Sequence, residues 1–290
     1  MTPSSEPVEA PARPARVTVL GLGNMGSALA QAFSAAGHAT TGWTRSGGTG
    51  SAAEACAASD LVVACVSDYD ATREILAAPG VTEALAGRTF VQLATGAPAD
   101  ARALAGWAAS AGVAYLDGAI ATYPARIGDP PTIVFYSGDC AAYDRHRATL
   151  AALGGRPTFV GEAAGAAAAA DLAWLSFLYA TMIGLFQGAA FLESEGADPA
   201  IVFDAVPSFG IEIAAEADYA RRLIARNDFR GDQATLDIHL AAMEHIVGAA
   251  EESGVNGELP RLVRDLAARA VSAGHGGDEI AAMIETFRRT

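Results

Sequence analysis

A β-branched run at residues 15–20 (ARVTVL) leads directly into Gly21-Leu22-Gly23-Asn24-Met25-Gly26, and a helical apolar pattern (Ala28, Leu29, Phe33) follows. A strand, a Gly-x-Gly-x-x-Gly turn and a helix in that order make the opening unit of a dinucleotide-binding fold. Each glycine has a mechanical reason. Gly21 allows the tight turn, Gly23 lets the backbone approach a pyrophosphate, and Gly26 lets helix and strand pack closely. The helix then turns its free N–H groups toward the phosphates.

Residues 38–43 read as the second strand, whose end handles the adenosine ribose in such folds. An NAD site wants an acidic residue there to accept from the 2′-hydroxyl, yet none occurs between Gly26 and Glu54. Arg45 takes that place, with Thr44 and Ser46 beside it. A guanidinium and hydroxyls suit a 2′-phosphate, so the expected cofactor is NADPH. Further strand-like runs fall at 61–66, 90–93, 113–116, 133–136 and 158–160, with helical patterns such as 98–110 between them. That alternation implies an α/β fold with a doubly wound, largely parallel sheet, a Rossmann domain. Ligands lie beyond the carboxyl ends of such strands. Cys65, Val66 and Ser67 end one strand and Thr95 follows another, so they are expected on the nicotinamide side. Ser67, Asp68 and Thr95 can equally cap the helices that follow.

After residue 160 no strong strand signal appears. The chain reads as all-helical, punctuated at 196–199, 207–210, 227–232 and 254–260. The expected organisation is a disordered tail at 1–15, a nucleotide-binding domain at 16–163 and a helical domain at 164–290, with a long helix from about 165 to 193. Residues 172–192 carry no charge, enough length for a membrane span. Ser176, Tyr179, Thr181 and Gln187 interrupt the run and no basic flank borders it, so burial between subunits is expected instead.

The 290 residues include 19 basic and 33 acidic side chains, a net charge of −14. No broad basic surface is available for a phosphate backbone, so nucleic acid is excluded as a main partner. The three cysteines (Cys56, Cys65, Cys140) are widely spaced. With no export signal in the tail, they point to a reducing, cytoplasmic setting. His239 and His245 stand six apart, a poor spacing for one helical face, and no metal site is expected.

Three stretches, VTVLGLGNMGSALAQAFSAAGHATTGWTRS, YLDGAIATYPARIGDPPTIVFYSG and GEAAGAAAAADLAWLSFLY, together resemble the imine reductases. These belong to the wider β-hydroxyacid dehydrogenase superfamily. The middle stretch is the most specific, through Asp117-Gly118-Ala119, Pro124, Ile127-Gly128, Pro131 and Tyr136-Ser137-Gly138. The resemblance implies a Rossmann domain, an all-α C-terminal dimerisation domain and a domain-swapped homodimer. It also implies hydride transfer from NADPH to cyclic imines, with some reductive amination.

The resemblance sharpens the reading of Asp171. Hydroxyacid dehydrogenases carry a catalytic lysine about six residues after the matching glycine, here Gly165; this chain has Asp171 there and Trp174-Leu175 where asparagines would follow. A lysine would repel an iminium, whereas a carboxylate can hold it or protonate the nitrogen. Apolar neighbours should raise its pKa. Capping or a buried structural pair is the alternative for this acid. Tyr179, eight residues on and ~12 Å along the helix, matches a pocket tyrosine of related reductive aminases. Ala121, Trp174, Leu175, Phe209 and Met243 are expected around the substrate. The chain departs from the family at Thr44, where asparagine is usual, and at Thr95, where reductive aminases have asparagine. A β-hydroxyacid dehydrogenase or a non-catalytic NADP-binding sensor are the competing functions.

Overall fold

The computed structural model describes residues 14–47 and 50–288. Most of the expected tail, and Gly48 and Thr49 after Arg45, lie outside the described residues. The elements run β1 (Arg16–Leu20), α1 (Asn24–Ala35), β2 (Ala39–Trp43), α2 (Ala52–Ala57), β3 (Leu61–Ala64), α3 (Tyr69–Leu76), α4 (Val81–Leu85), β4 (Thr89–Gln92), α5 (Pro98–Ser110), β5 (Ala114–Ile120), β6 (Ile133–Gly138), α6 (Cys140–Leu150) and β7 (Arg156–Gly161). Helices follow: α7 (Ala166–Ser194), α8 (Ala200–Asp204), α9 (Val206–Arg226), α10 (Leu236–Ser253) and α11 (Glu258–Ala270). The chain forms two compact units that divide after Phe177, within α7.

In the first unit one sheet takes the order β2-β1-β3-β4-β5-β6-β7. β3 and β4 are buried at every position, as strands covered on both faces must be. Alternate residues feed two cores: Val62, Ala64 and Phe90 pack on one face, and Leu61, Val63 and Val91 on the other. All strand pairs are parallel except β5·β6, which is antiparallel. The physical reason is legible in the connection. Between Ile120 and Ile133 only a short 3-10 turn (Pro124–Arg126) forms. Pro124, Pro130 and Pro131 disfavour the helix that a parallel crossover normally uses.

The second unit is helical, with one isolated bridge between Thr235 and Glu279. Asn227, in the left-handed region at φ 50°, ends α9, and Gly254 at φ 74° ends α10. The expected break at 207–210 lies instead inside the first turn of α9. Pro207 stands where its missing N–H costs nothing, so it starts a helix and does not interrupt one. Pro260 likewise sits in the first turn of α11.

Candidate active site

The glycine turn closes at the carboxyl end of β1, where the sheet order branches to β2 on one side and β3 on the other. Gly21 has φ 95°, and a Cβ there would stand 2.4 Å from the Cys65 carbonyl oxygen. A Cβ on Gly26 would lie 1.9 Å from the Gly21 oxygen. Gly23 differs: it is the N-cap of α1, makes no side-chain capping bond, and has open space where a Cβ would be. The first-turn amides of α1 thus start at an uncrowded glycine, an arrangement that suits a diphosphate. Leu22 and Asn24 are exposed at the rim of this cradle, and Met25 is half-buried against the core. Gly21 N–H donates to Trp43 O at 2.9 Å, tying the cradle to β2.

Just past β2, Ser46 N–H donates to Thr44 Oγ1 at 3.2 Å and the two hydroxyls lie 3.3 Å apart. Arg45 is exposed and donates to Glu74 Oε2 at 2.7 Å. One guanidinium and two hydroxyls make a donor set that fits a 2′-phosphate. Glu74, on α3, was not visible as a partner in the sequence; 29 residues separate it from Arg45.

At the other strand ends, Cys65 is buried and burial pushes its thiol up to about 11, which removes it as a nucleophile. Val66 is half-buried and Ser67 exposed. Asp68 caps α3 by accepting from the Ala71 amide at 2.8 Å. Thr95 is exposed and caps nothing, because the N-cap of α5 is Ala97, whose amide donates to Asp100 at 3.1 Å. The capping alternative therefore holds for Asp68 and fails for Thr95. Ala121 is half-buried just beyond β5.

Asp171 lies on α7, only 6% exposed. Burial raises its carboxyl above the ordinary range, with no cation or hydrogen bond opposing the shift among the described residues. No basic residue occurs from 163 to 220. α7 starts close against the head of α5: a Cβ on Gly165 would stand 2.7 Å from the Pro98 oxygen. Trp174 and Leu175 are half-buried one turn further on, and the Trp174 ring lies 6.0 Å from that of Phe177.

Tyr179, Phe209 and Met243 belong to the second unit. The first two are 61% and 49% exposed. Met243 packs beside Leu236, Ala267 and Ala270 and also lines an apolar cavity of about 530 Å³ with Gly188, Phe191 and Ile246. Among the described residues no cluster of three His, Cys, Asp or Glu side chains is placed to hold a metal ion.

A phosphate cradle at the sheet's branch point, a basic ribose-end corner and a buried acid beyond the strand ends define a dinucleotide-dependent oxidoreductase. Residues 16–161 match the model of the NAD binding domain of 6-phosphogluconate dehydrogenase. Residues 163–289 match that of the NADPH-dependent reductive aminase-like C-terminal domain. The chain is 33% identical to an imine reductase from Myxococcus stipitatus solved with NADP+, over 94% of this chain and all of that one, with a TM-score of 0.85. It is 31% identical to a reductive aminase from Aspergillus terreus, solved with NADPH and ethyl levulinate, over 95% and 100% of the two chains, at a TM-score of 0.84. An NADPH-dependent reductive aminase of Aspergillus oryzae is 29% identical over 94% of this chain and 97% of its own length. The chain belongs to the imine reductase and reductive aminase family.

Proposed function

We propose that this protein is an NADPH-dependent oxidoreductase that reduces the C=N bond of imines, small cyclic imines first, with some coupling of ketones and amines. NADPH, when bound, supplies the hydride. The first-turn amides of α1 hold the diphosphate, and Arg45 with Thr44 and Ser46 holds the 2′-phosphate. Accepting hydride at carbon requires a protonated nitrogen. Asp171, whose carboxyl burial raises above the ordinary range, gives that proton or, as the carboxylate, pairs with the iminium. Tyr179 orients amine or water, and Ala121, Trp174, Leu175, Phe209 and Met243 shape the substrate pocket.

The observation that carries the reading is Asp171 itself: a buried carboxylate without a cation, at the position where hydroxyacid dehydrogenases keep a lysine. The working form is a homodimer, with helices exchanged between copies. α7 is the one helix among the described residues long and apolar enough to cross a membrane, and its most apolar window is not buried within the chain. Ile183 and Phe186 on α7 and Ile211 on α9 are exposed, apolar side chains whose covering favours a second copy of the chain. Gln187 supports that choice over lipid, since its amide donates to the Asn256 carbonyl at 3.0 Å in a loop that would then lie in the bilayer. The free thiols fit a cytoplasmic setting.

The test is NADPH oxidation with five- and six-membered cyclic imines, alongside NADH and a β-hydroxy acid with NADP+. Imine turnover with NADPH is expected. Oxidation of the hydroxy acid instead would make the protein a dehydrogenase, and tight NADPH binding with no turnover would make it a sensor.

A further inference from the structure

The first turn of α7 is held by two side chains that share one register position in the sheet. Asp117 on β5 and Ser137 on β6 are direct partners across the antiparallel pair, and both are fully buried. Ser137 Oγ accepts from the Ala167 amide at 3.1 Å, and Asp117 Oδ2 accepts from the Ala168 amide at 3.2 Å. These are amides that a helix start leaves without partners inside the helix, and a carboxylate there also meets the positive end of the helix dipole.

The other oxygen of Asp117 is occupied as well. Oδ1 accepts from the Tyr69 phenol and, at 3.3 Å, from the Tyr115 phenol. Tyr69 opens α3 directly after the β3 strand end, and its ring packs under the loop after β4: a Cβ on Gly96 would stand 2.4 Å from it. One carboxylate thus joins the β3 end, the β4 loop, β5 and the start of α7. Burial raises the carboxyl of Asp117 above the ordinary range, and the donors from Tyr69, Ala168 and Tyr115 oppose that shift. A buried ionised group is costly, and an apolar core of the same shape would be cheaper unless the exact geometry is needed. Asp171 follows three residues after Ala168, on the next turn.

We propose that Asp117 is a positioning residue for the reaction: with Ser137 it clamps the first turn of α7 and so sets where the Asp171 carboxylate stands. This rests on Asp171 being the group that handles the imine's proton. The titratable groups facing Asp117 are the Asp171 carboxyl from α7 and the phenols of Tyr69 from α3 and Tyr115 from its own strand, both phenols neutral donors. Asp117 and Asp171 repel as like charges, so each makes the other harder to ionise.

The experiment compares wild type, Asp117→Asn and Ser137→Ala by three readouts: hydrogen exchange over residues 165–172, NADPH affinity, and the pH profile of imine kcat. Asp171→Asn identifies which limb of that profile belongs to Asp171. Both variants should exchange faster at the head of α7. Asp117→Asn should lower kcat by ~10- to 100-fold, as a small misplacement of a reacting group does, with NADPH affinity within about twofold. The Asp171 limb should move to lower pH in Asp117→Asn and stay in place in Ser137→Ala. Unchanged exchange, or a kcat loss that only tracks lost NADPH binding and melting, overturns the positioning role. If Asp117→Asn does not fold, Ser137→Ala carries the exchange and kcat test alone. No imine turnover by wild type sinks the reading of the reaction and the role of Asp117 in it, while the exchange data still decide separately whether the clamp exists.

Discussion

The sheet unit and the helical unit solve burial in opposite ways. In the first, both faces of the sheet are covered, and large side chains such as Phe33, Phe90, Leu116 and Tyr136 are wholly removed from solvent. In the second, the buried clusters are small, Leu223 with Phe229 and Ala282 in one, Leu236 with Ala267 and Ala270 in the other. Its large apolar side chains stand largely outside: Ile211 is 71% exposed and Phe186 56%. A parallel sheet with helices on both sides is complete as a monomer. A long helix apolar all round leaves its surface uncovered within the chain, and that exposed surface is the ground for the proposed second copy.

The contrast can be broken most severely by truncating one large aromatic in each unit. Phe90→Ala should cost ~3–5 kcal/mol, the usual range for emptying a packed core site, read as a fall in melting temperature. Phe186→Ala should cost less than half of that in the same melt, yet shift sedimentation toward monomer as protein is diluted. Equal losses in both, with no change in association, would contradict the contrast.

At the cofactor's ribose end the expected effects are smaller and opposite in sign. Arg45→Ala should raise the NADPH Kd by ~10-fold or more, since a hydrogen bond to a charged group contributes about 1.5–3 kcal/mol, and leave NADH binding within a factor of two. Glu74→Gln should lower the NADPH Kd by up to ~5-fold, the range of an exposed ion pair, because the phosphate no longer competes with a carboxylate for Arg45. Fluorescence titration with both nucleotides distinguishes the two.

Much of the sheet unit was legible because its signals are local. Residues 98–110 read as a helical pattern between two strand-like runs, and α5 has those bounds. The strands are short runs separated by helical patterns, and the cradle is six consecutive residues. The antiparallel return of β6 was written in Pro124, Pro130 and Pro131 but masked by strand spacing that suits a parallel sheet equally well. The contacts of the site were not legible at all. Tyr69 meets Asp117 across 48 residues, Asp117 meets Ala168 across 51, and Arg45 meets Glu74 across 29. No periodicity encodes such pairs; they exist only once neighbouring strands bring their ends together. Pro207 shows the converse limit, because a proline marks a helix start and a helix break with the same letter.

The smallest expected effect concerns stability and pH. The folded-state pKa of Asp171 is raised by burial. Folding is therefore favoured while the group is protonated, below the unfolded value of about 3.9, and that contribution is lost as pH rises through the raised folded value. Asp171→Asn should match wild type in acid and become the more stable of the two as pH rises, by chemical denaturation at a series of pH values. A constant difference across the range would mean that burial does not perturb this carboxyl.

The most direct test of the account is the rate of NADPH oxidation in a single turnover with a saturating cyclic imine, wild type against Asp171→Asn, with NADPH affinity measured on both. The expected result is a fall of ~100-fold or more in the chemical step, the low end of what a positioned acid or base contributes, with cofactor affinity unchanged. A variant that reduces the imine at the wild-type rate would contradict it and leave Asp171 a buried residue of the helix alone.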